Sequence, residues 1–186
     1  MTQVEINGQA FTLPYSKGGK GHYYEILQKI VDQTDAMLSH HCKVLIFRID
    51  LHLYDDTDNS EQLSRFFRRL KKGMKPWGHK RIGYIWCREQ DKAGKPHYHL
   101  AVIVNGNINQ NPYYLVQQAR YYWEEWQIGT IWQPENSFYR LPRNDMNVYQ
   151  EVFDRLSYLA KVDTKGHKPN SANDYGGSRI QLKHHN

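Results

Sequence analysis

Two histidines at alternate positions open an apolar run, and this pattern constrains the fold of the chain most. The run begins His97-Tyr98-His99 and continues through residues 100–104, which are all apolar. Side chains alternate between the two faces of a β-strand, so His97 and His99 share one face while Tyr98 points to the other. Two imidazoles on one face can bind a divalent metal, but they need a further ligand such as a carboxylate.

Glu89 is the candidate for that carboxylate. Residues 92–94, Lys-Ala-Gly, suit a three-residue hairpin loop whose glycine takes the left-handed conformation. In that register Glu89 faces His97 across the hairpin, and cross-strand partners share a face. Pro96 donates no ladder hydrogen bond, so it must stand at the strand start, an edge or a bulge. The pattern predicts that Glu89, His97 and His99 form a metal site, whereas His-x-His alone is more often two half-exposed strand residues.

A second alternating segment, residues 43–53, predicts another strand with one apolar face. Its other face becomes polar towards the end, where Asp50 and His52 stand. If this strand lies beside those of Glu89 and His97, Asp50 or His52 can bind the metal or orient one of its ligands. Both rank below Glu89, and solvent exposure near a strand end is the alternative for each.

Tyr158 lies on a segment, residues 147–165, that favours an amphipathic helix. The helical repeat puts Tyr158 off the apolar stripe, on the face of Arg155, Lys161 and Lys165. Neighbouring cations favour a phenolate and attract a phosphate, so this setting suits a tyrosine nucleophile. The alternative is an interfacial tyrosine among ordinary surface charges.

Glu-x7-His-x-His followed by Tyr-x-x-Lys resembles the Rep-type His-hydrophobic-His (HUH) endonucleases of rolling-circle replication. In relaxases, by contrast, the tyrosine precedes the histidines. The closer resemblance is to the filamentous-phage (inovirus) replication-protein-like family, including its prophage YagK/YfjJ-like members. It spans roughly residues 43–180, and the blocks that carry it are residues 44–51, 65–70, 95–99, 156–161 and 176–179.

The resemblance implies an enzyme that nicks and joins single-stranded or hairpin DNA at an origin, starting replication of a phage or mobile element. It implies a ferredoxin-like palm in which Glu89, His97 and His99 hold Mg²⁺ or Mn²⁺ and the Tyr158 helix lies across their face. Tyr158 would form a 5′-phosphotyrosine intermediate, and Lys161 would stabilise the developing charge.

Two features depart from the usual pattern of that family. The middle residue of the histidine motif is Tyr98 rather than an aliphatic residue, which fits if its ring points into the core. Some initiators use two tyrosines one helical turn apart, whereas Tyr149 is nine residues before Tyr158 and would point about 180° away. The sequence therefore predicts an enzyme with one catalytic tyrosine.

A basic stripe marks a second candidate contact with DNA. Residues 60–73 favour a helix with one apolar face, and its cationic positions are Arg65, Arg68, Arg69 and Lys72. These four, with Arg155 and Lys165, are predicted to contact DNA phosphates, although a basic stripe is often simply solvated. The net charge of +6 also favours a nucleic-acid partner.

The remaining patterns predict one α+β domain with an antiparallel-rich sheet. Residues 1–21 are expected to be a flexible arm, 22–166 the catalytic domain and 167–186 a polar, irregular tail. In the aromatic helix 113–127, Trp123 and Trp126 are expected to pack on the sheet. Residues 129–132 and 137–141 each suit a short strand.

Location and partners follow from what the sequence lacks. No long apolar run or signal peptide is present, which predicts a cytoplasmic protein without membrane contact. The resemblance implies that the cell is a bacterial host. No Walker-type phosphate loop is present, so any helicase must be another protein. The resemblance implies that a host helicase and polymerase assist. The alternatives are a transposase with the same chemistry, a noncatalytic metal-stabilised DNA-binding protein and a phosphoesterase that uses metal-activated water.

Overall fold

The computed structural model describes residues 2–14, 21–55, 60–89, 96–162 and 173–183. Its helices are α1 (Tyr24–His40), α2 (Glu61–Met74), α3 (Tyr113–Trp123) and α4 (Met146–Ser157). Its strands are β1 (Thr2–Ile6), β2 (Gln9–Leu13), β3 (Lys43–Leu53), β4 (Gly83–Glu89), β5 (His97–Asn105), β6 (Gly129–Trp132), β7 (Phe138–Pro142) and β8 (Tyr175–Gly177). Short 3₁₀ turns follow α2 and α4, at Lys75–Trp77 and Tyr158–Ala160.

The central sheet has the strand order β6-β3-β5-β4-β8, and β7 pairs with β3 as well. Every pairing in it is antiparallel. The run β3-α2-β4-β5-α3-β6 has the βαββαβ connectivity of ferredoxin-like folds. The predicted α+β domain is confirmed, as are the two short strands β6 and β7.

Helices cover both faces of this sheet. Leu45, Phe47 and Tyr98 pack with α2 and α3 on one face. The alternate residues, such as Ile46 and Ala101, pack with α1 and α4 on the other. Since His97 and His99 alternate with Tyr98, the histidines belong to the face of α1 and α4. That face is therefore covered by apolar packing along much of its length rather than left open, and the polar site lies at one end.

The N-terminal residues form a hairpin rather than the expected flexible arm. Strands β1 and β2 pair in antiparallel register, with Ile6 opposite Gln9. The turn between them has Asn7 at φ 53° and Gly8 at φ 74°. Positive φ at both turn residues is typical of the tightest β-hairpins, and Asn-Gly is their strongest sequence signal. The expectation of a flexible arm was wrong for residues 2–13, because it followed from polar composition and did not use the Asn-Gly turn signal. Residues 15–20 lie outside the described ranges.

This hairpin packs directly on α4. The Phe11 ring stacks on that of Phe153, with centroids 4.2 Å apart. The Thr12 backbone N–H donates to Gln150 Oε1 at 2.9 Å, and Gln150 Nε2 donates to the Thr12 carbonyl at 2.8 Å. The reciprocal pair fixes β2 along the helix that leads to Tyr158.

The C-terminal segment is also more ordered than predicted. Strand β8 pairs with β4, placing Tyr175 opposite Cys87 and Gly176 opposite Trp86. A Cβ at Gly176 would stand 2.7 Å from the Trp86 ring, so the close approach of β8 needs a glycine there. Ser178 is buried, and its Oγ accepts the Tyr84 backbone N–H at 3.0 Å. The expectation of an irregular tail is therefore wrong for the part that continues the sheet.

Helix α4 ends earlier than the predicted 147–165. Asp145 caps its start by accepting the Val148 backbone N–H at 3.1 Å. The chain then leaves the α-helical path after Ser157, with Leu159 and Ala160 buried in the following 3₁₀ turn. Tyr158 thus stands at the end of the helix, not in its middle. Lys165 lies outside the described residues.

Only the first of the two predicted core tryptophans of the aromatic segment is buried. Trp123 is fully buried, and its Nε1 donates to the His52 carbonyl at 3.1 Å. Trp126 is 51% exposed, because α3 ends at Trp123 and helical spacing no longer applies beyond it. Instead the Arg69 guanidinium lies 3.6 Å from the Trp126 ring centroid. Within the described ranges, no helix combines the length and apolar character needed to cross a membrane.

Candidate metal and tyrosine site

The register of three neighbouring strands brings the candidate ligands to one end of the sheet. Glu89 pairs with His97 across β4 and β5, as the hairpin spacing predicts. Across β3 and β5, Asp50 pairs with His99 and His52 with His97. Cross-strand partners share a face, so all five side chains belong to one polar patch. The hairpin loop itself lies outside the described residues.

Glu89, His97 and His99 converge closely enough to bind one ion. One ligand atom from each lies within 4.8 Å of the others. Glu89 Oε2 is 2.9 Å from His99 Nε2 and 3.5 Å from His97 Nε2. Glu89 and His99 are buried, and the His97 side chain is 25% exposed. Two imidazoles and a carboxylate suit a divalent metal and leave coordination positions open for water or substrate.

Asp50 orients His99 rather than joining the ligand group. Its Oδ1 lies 2.8 Å from His99 Nδ1, on the side of the ring away from Glu89. A proton on Nδ1 shared with Asp50 leaves Nε2 free to bind a metal. Burial alone would raise the pKa of Asp50, but the hydrogen bond and charge of His99, together with Arg48, hold it below its ordinary value.

Arg48 is the site residue that sequence reasoning missed. Its Nη2 donates to Asp50 Oδ1 at 3.1 Å, and both side chains are buried. A charged side chain in an otherwise apolar strand needs a partner when buried, and Arg48 lies two positions from Asp50 on the same face. That spacing was the available signal for it.

His52 takes a different place. Its ring stacks on that of His97, with centroids 5.4 Å apart and an interplanar angle of 17°. It is exposed and stands outside the group of three ligand atoms. The position agrees with solvent exposure, the alternative to ligation for this residue.

Tyr158 reaches this patch from the end of α4. Its ring centroid lies 5.6 Å from that of His99. Lys161 Nζ is 4.4 Å and Arg48 Cζ 5.0 Å from the centre of the phenol ring. The structure thus brings a half-buried tyrosine, two cations and the metal-ligand group together, although about sixty residues separate Tyr158 from His99.

The pKa of Tyr158 is shifted upwards, whereas neighbouring cations alone would lower it. Burial raises the pKa of its phenol, and the negative charge of Glu89 raises it further. The Arg48 guanidinium opposes this effect but does not outweigh it. A divalent cation beside Glu89 would reverse the sign of the local charge. A metal bound at this group would therefore lower the pKa of Tyr158, opposite to the effect of Glu89 alone.

Tyr149 belongs to the core and not to this site. It is buried, and its hydroxyl donates to Asp35 Oδ1 at 2.7 Å. Burial and the nearby Asp35 carboxylate raise the pKa of its phenol strongly. Tyr158 is accordingly the tyrosine of α4 and its 3₁₀ turn that lies at the metal-ligand group.

The predicted DNA-contacting cations do not all lie near the ligands. Arg65, Arg68, Arg69 and Lys72 line one groove on α2. Helix α2 packs on the sheet face opposite Glu89 and the histidines. Arg155 lies one helical turn before Tyr158, and its Nη2 donates to the Glu135 carbonyl at 2.7 Å. The α2 stripe is therefore separated from the metal-ligand group by the sheet.

Metal affinity should rise with pH. Burial lowers the pKa of His99, but hydrogen bonds and charges from Asp50 and Glu89 outweigh it, so the net pKa is above the ordinary 6.5. The proton on Nε2 occupies the place of the metal, so binding must release it. In the metal-free protein, protonated His99 stabilises the fold below pH 6.5, and this contribution is lost as pH rises through the raised pKa.

We expect Mn²⁺ affinity to increase by up to about tenfold per pH unit until His99 is deprotonated. Titration calorimetry in buffers of different ionisation enthalpy would count the proton released. His40→Gln, at a half-buried histidine near the C-terminal end of α1, should leave the pH dependence unchanged. An affinity that stays constant from pH 6 to pH 8 would contradict the assignment of His99 as a ligand.

Comparison with known proteins gives a family and two relatives. A family model described as the YagK/YfjJ C-terminal domain matches residues 8–178. The protein named "Uncharacterized protein YfjJ" from Escherichia coli (strain K12) is 27% identical over 77% of this chain and 87% of its own length. "Uncharacterized protein YagK" from the same strain is 24% identical over 87% of this chain and 95% of its own length. No solved structure gives a significant match.

Proposed function

The chain belongs to the YagK/YfjJ C-terminal domain family, and we propose that it is a metal-dependent endonuclease that nicks and rejoins single-stranded DNA. One observation carries the proposal: the Tyr158 ring lies against His99, which is also one of the three clustered metal-ligand candidates. A hydrolase that activates water needs the ligands but no adjacent tyrosine. The order and placement of these residues support a Rep-type His-hydrophobic-His enzyme.

Glu89, His97 and His99 would hold Mg²⁺ or Mn²⁺, which would polarise the scissile phosphate as a Lewis acid. The Tyr158 hydroxyl oxygen attacks phosphorus, and the bond from phosphorus to the 3′ oxygen breaks. The phenolic proton passes to water, and the departing oxygen takes up a proton to give a free 3′-hydroxyl. The product is a 5′-phosphotyrosine, which preserves the energy of the phosphodiester bond for rejoining.

Two cations assist this step. Lys161 Nζ and the Arg48 guanidinium both lie within about 5 Å of the phenol ring. Positive charge there stabilises the phenolate and the extra charge on the phosphate in the transition state. Arg48 also holds Asp50 in place, so it connects the nucleophile to the residue that orients His99.

The substrate we propose is a single strand or an extruded hairpin at a replication origin. A continuous duplex would keep the bases around the target phosphate stacked. The free 3′-hydroxyl would prime synthesis by a host polymerase with a host helicase, in the cytoplasm of a bacterial cell that carries the phage or mobile element.

Intact-mass spectrometry tests the proposal directly. The protein is incubated with single-stranded oligonucleotides that cover the native replicon, with Mn²⁺ or with chelator. We expect a mass increase equal to the 3′ fragment of one oligonucleotide, only with metal. Cleavage without an adduct would indicate hydrolysis by water, binding without cleavage would indicate a noncatalytic DNA-binding protein, and joining of two element ends would indicate a transposase.

The α2 stripe should affect DNA affinity more than chemistry, because the sheet separates it from Tyr158. We expect Arg68→Gln with Lys72→Gln to lower the slope of log affinity against log salt by about 1.4 on long single strands. Adduct formation on a short oligonucleotide should stay unchanged. Fluorescence anisotropy across a salt series measures the slope, and Lys43→Gln with Lys183→Gln is the charge-matched control. An equal loss in both double variants would show that the stripe is only a solvated face.

A further inference from the structure

We propose that Trp132 is a stacking subsite for an unpaired base of the single-stranded DNA, on the same face of the sheet as the metal-ligand group. The inference rests on the proposed function and extends it, because it adds a base contact to a centre otherwise described through its phosphate chemistry.

Strand pairing determines where Trp132 stands. It is the last residue of β6 and lies opposite Asp50 on β3, which in turn lies opposite His99 on β5. Cross-strand partners share a face, so Trp132, Asp50 and His99 form one row across three strands. Ile131, the neighbour of Trp132, is buried in the core of the other face, as alternation requires. Two strand spacings of about 4.8 Å separate the backbones of Trp132 and His99 by about 10 Å.

Trp132 is also exposed to solvent. It is 56% exposed at the edge of the sheet. Within the described ranges, neither a ring nor a cation stacks on it, in contrast to Trp126, which carries the Arg69 guanidinium at 3.6 Å. A single exposed aromatic residue needs no ligand to explain it. Trp132 differs because its exposed indole lies in one row with Asp50 and His99 beside the candidate site.

An unpaired nucleobase fits the chemistry of such a surface. Each base has a flat π-face, and stacking on an aromatic side chain strengthens binding roughly five- to 150-fold per base with little dependence on its identity. The neighbouring positions on β6 and β3 are Thr130 and His52, which pair with each other and are both exposed. A strand whose phosphate lies at Glu89 and the histidines would therefore have a flat ring for an adjacent base.

The test compares two oligonucleotides of the same length and charge in the presence of chelator, so that no cleavage occurs. One is oligothymidylate and the other has abasic sites throughout. The wild-type protein should bind the oligothymidylate more tightly. Trp132→Ala should weaken that binding at least about fivefold and leave the abasic oligonucleotide unaffected. Trp132→Phe should retain most of the preference, and Trp77→Ala, at another exposed tryptophan, should retain all of it.

Three outcomes would overturn the assignment. An unchanged preference in Trp132→Ala would remove the stacking role. An equal loss for the abasic strand would show that Trp132 contacts the backbone. Tighter binding of oligouridylate than of oligothymidylate would assign RNA as the ligand. The test separates failure of the stacking subsite from failure of the proposed nuclease. A base preference that depends on Trp132, without any Tyr158 adduct, would support the subsite and refute the catalytic proposal.

Discussion

Tyr158→Phe protein should form no covalent adduct with single-stranded DNA, and cleavage should fall by more than about a thousandfold. The phenyl ring can keep its edge contact with His99, since the substitution removes only the hydroxyl. Binding of Mn²⁺ and of uncleaved DNA should stay within about threefold of the wild type, because Glu89 and both histidines are untouched. Intact-mass spectrometry, metal titration and anisotropy give the three measurements.

The matched control is Tyr121→Phe, at a tyrosine on α3 that is 54% exposed. Helix α3 packs on the opposite face of the sheet, so this variant should form the adduct at the wild-type rate. An adduct that persists in Tyr158→Phe would assign the nucleophile to another residue. Loss of the adduct together with loss of metal binding would show that the phenol acts through the ligand group instead.

Glu89→Gln should lower Mn²⁺ affinity by at least about a hundredfold and abolish the adduct. The change removes the negative charge and one ligand oxygen while preserving the shape of the side chain. It also removes a carboxylate that raises the pKa of Tyr158, so the phenol of the metal-free variant should titrate at lower pH than in the wild type. Electron paramagnetic resonance measures the metal, and ultraviolet difference titration follows the phenol.

Glu151→Gln is the control for the Glu89 variant, since Glu151 is an exposed carboxylate on the helix that leads to Tyr158. It should bind Mn²⁺ normally. Undiminished Mn²⁺ binding by Glu89→Gln would shift the ligand role to Asp50, the other carboxylate in contact with His99. Thermal unfolding of both variants without metal would show whether the loss of a buried charge alters the fold.

The alternation of strand side chains between the two faces of a sheet accounts for most of what the sequence could predict. It assigned Glu89, His97 and His99 to one face, and the observed pairing of Glu89 with His97 confirms the register. It also placed Tyr98 in the core, where the structure finds it fully buried. These are local consequences of strand geometry and loop length, which adjacent residues determine.

The contacts that depend on the tertiary structure were harder to predict from the sequence. Alternation shows that Arg48 and Asp50 share a face, but not that their strand lies next to His99, because the strand order depends on the whole sheet. The end of α4 at Ser157 depends on the burial of Leu159 and Ala160 against other elements, which no helical pattern within the segment reveals.

The N-terminal hairpin has a consequence for the design of minimal fragments. The family match begins at residue 8, inside the hairpin turn, so a fragment cut there would lack β1 and the buried Ile6. Strand β2 would lose its only pairing partner among the described strands, and with it the support for Phe11 on Phe153. We expect such a fragment to keep every metal-ligand candidate and still misplace Tyr158, because Tyr158 follows the helix that this hairpin holds.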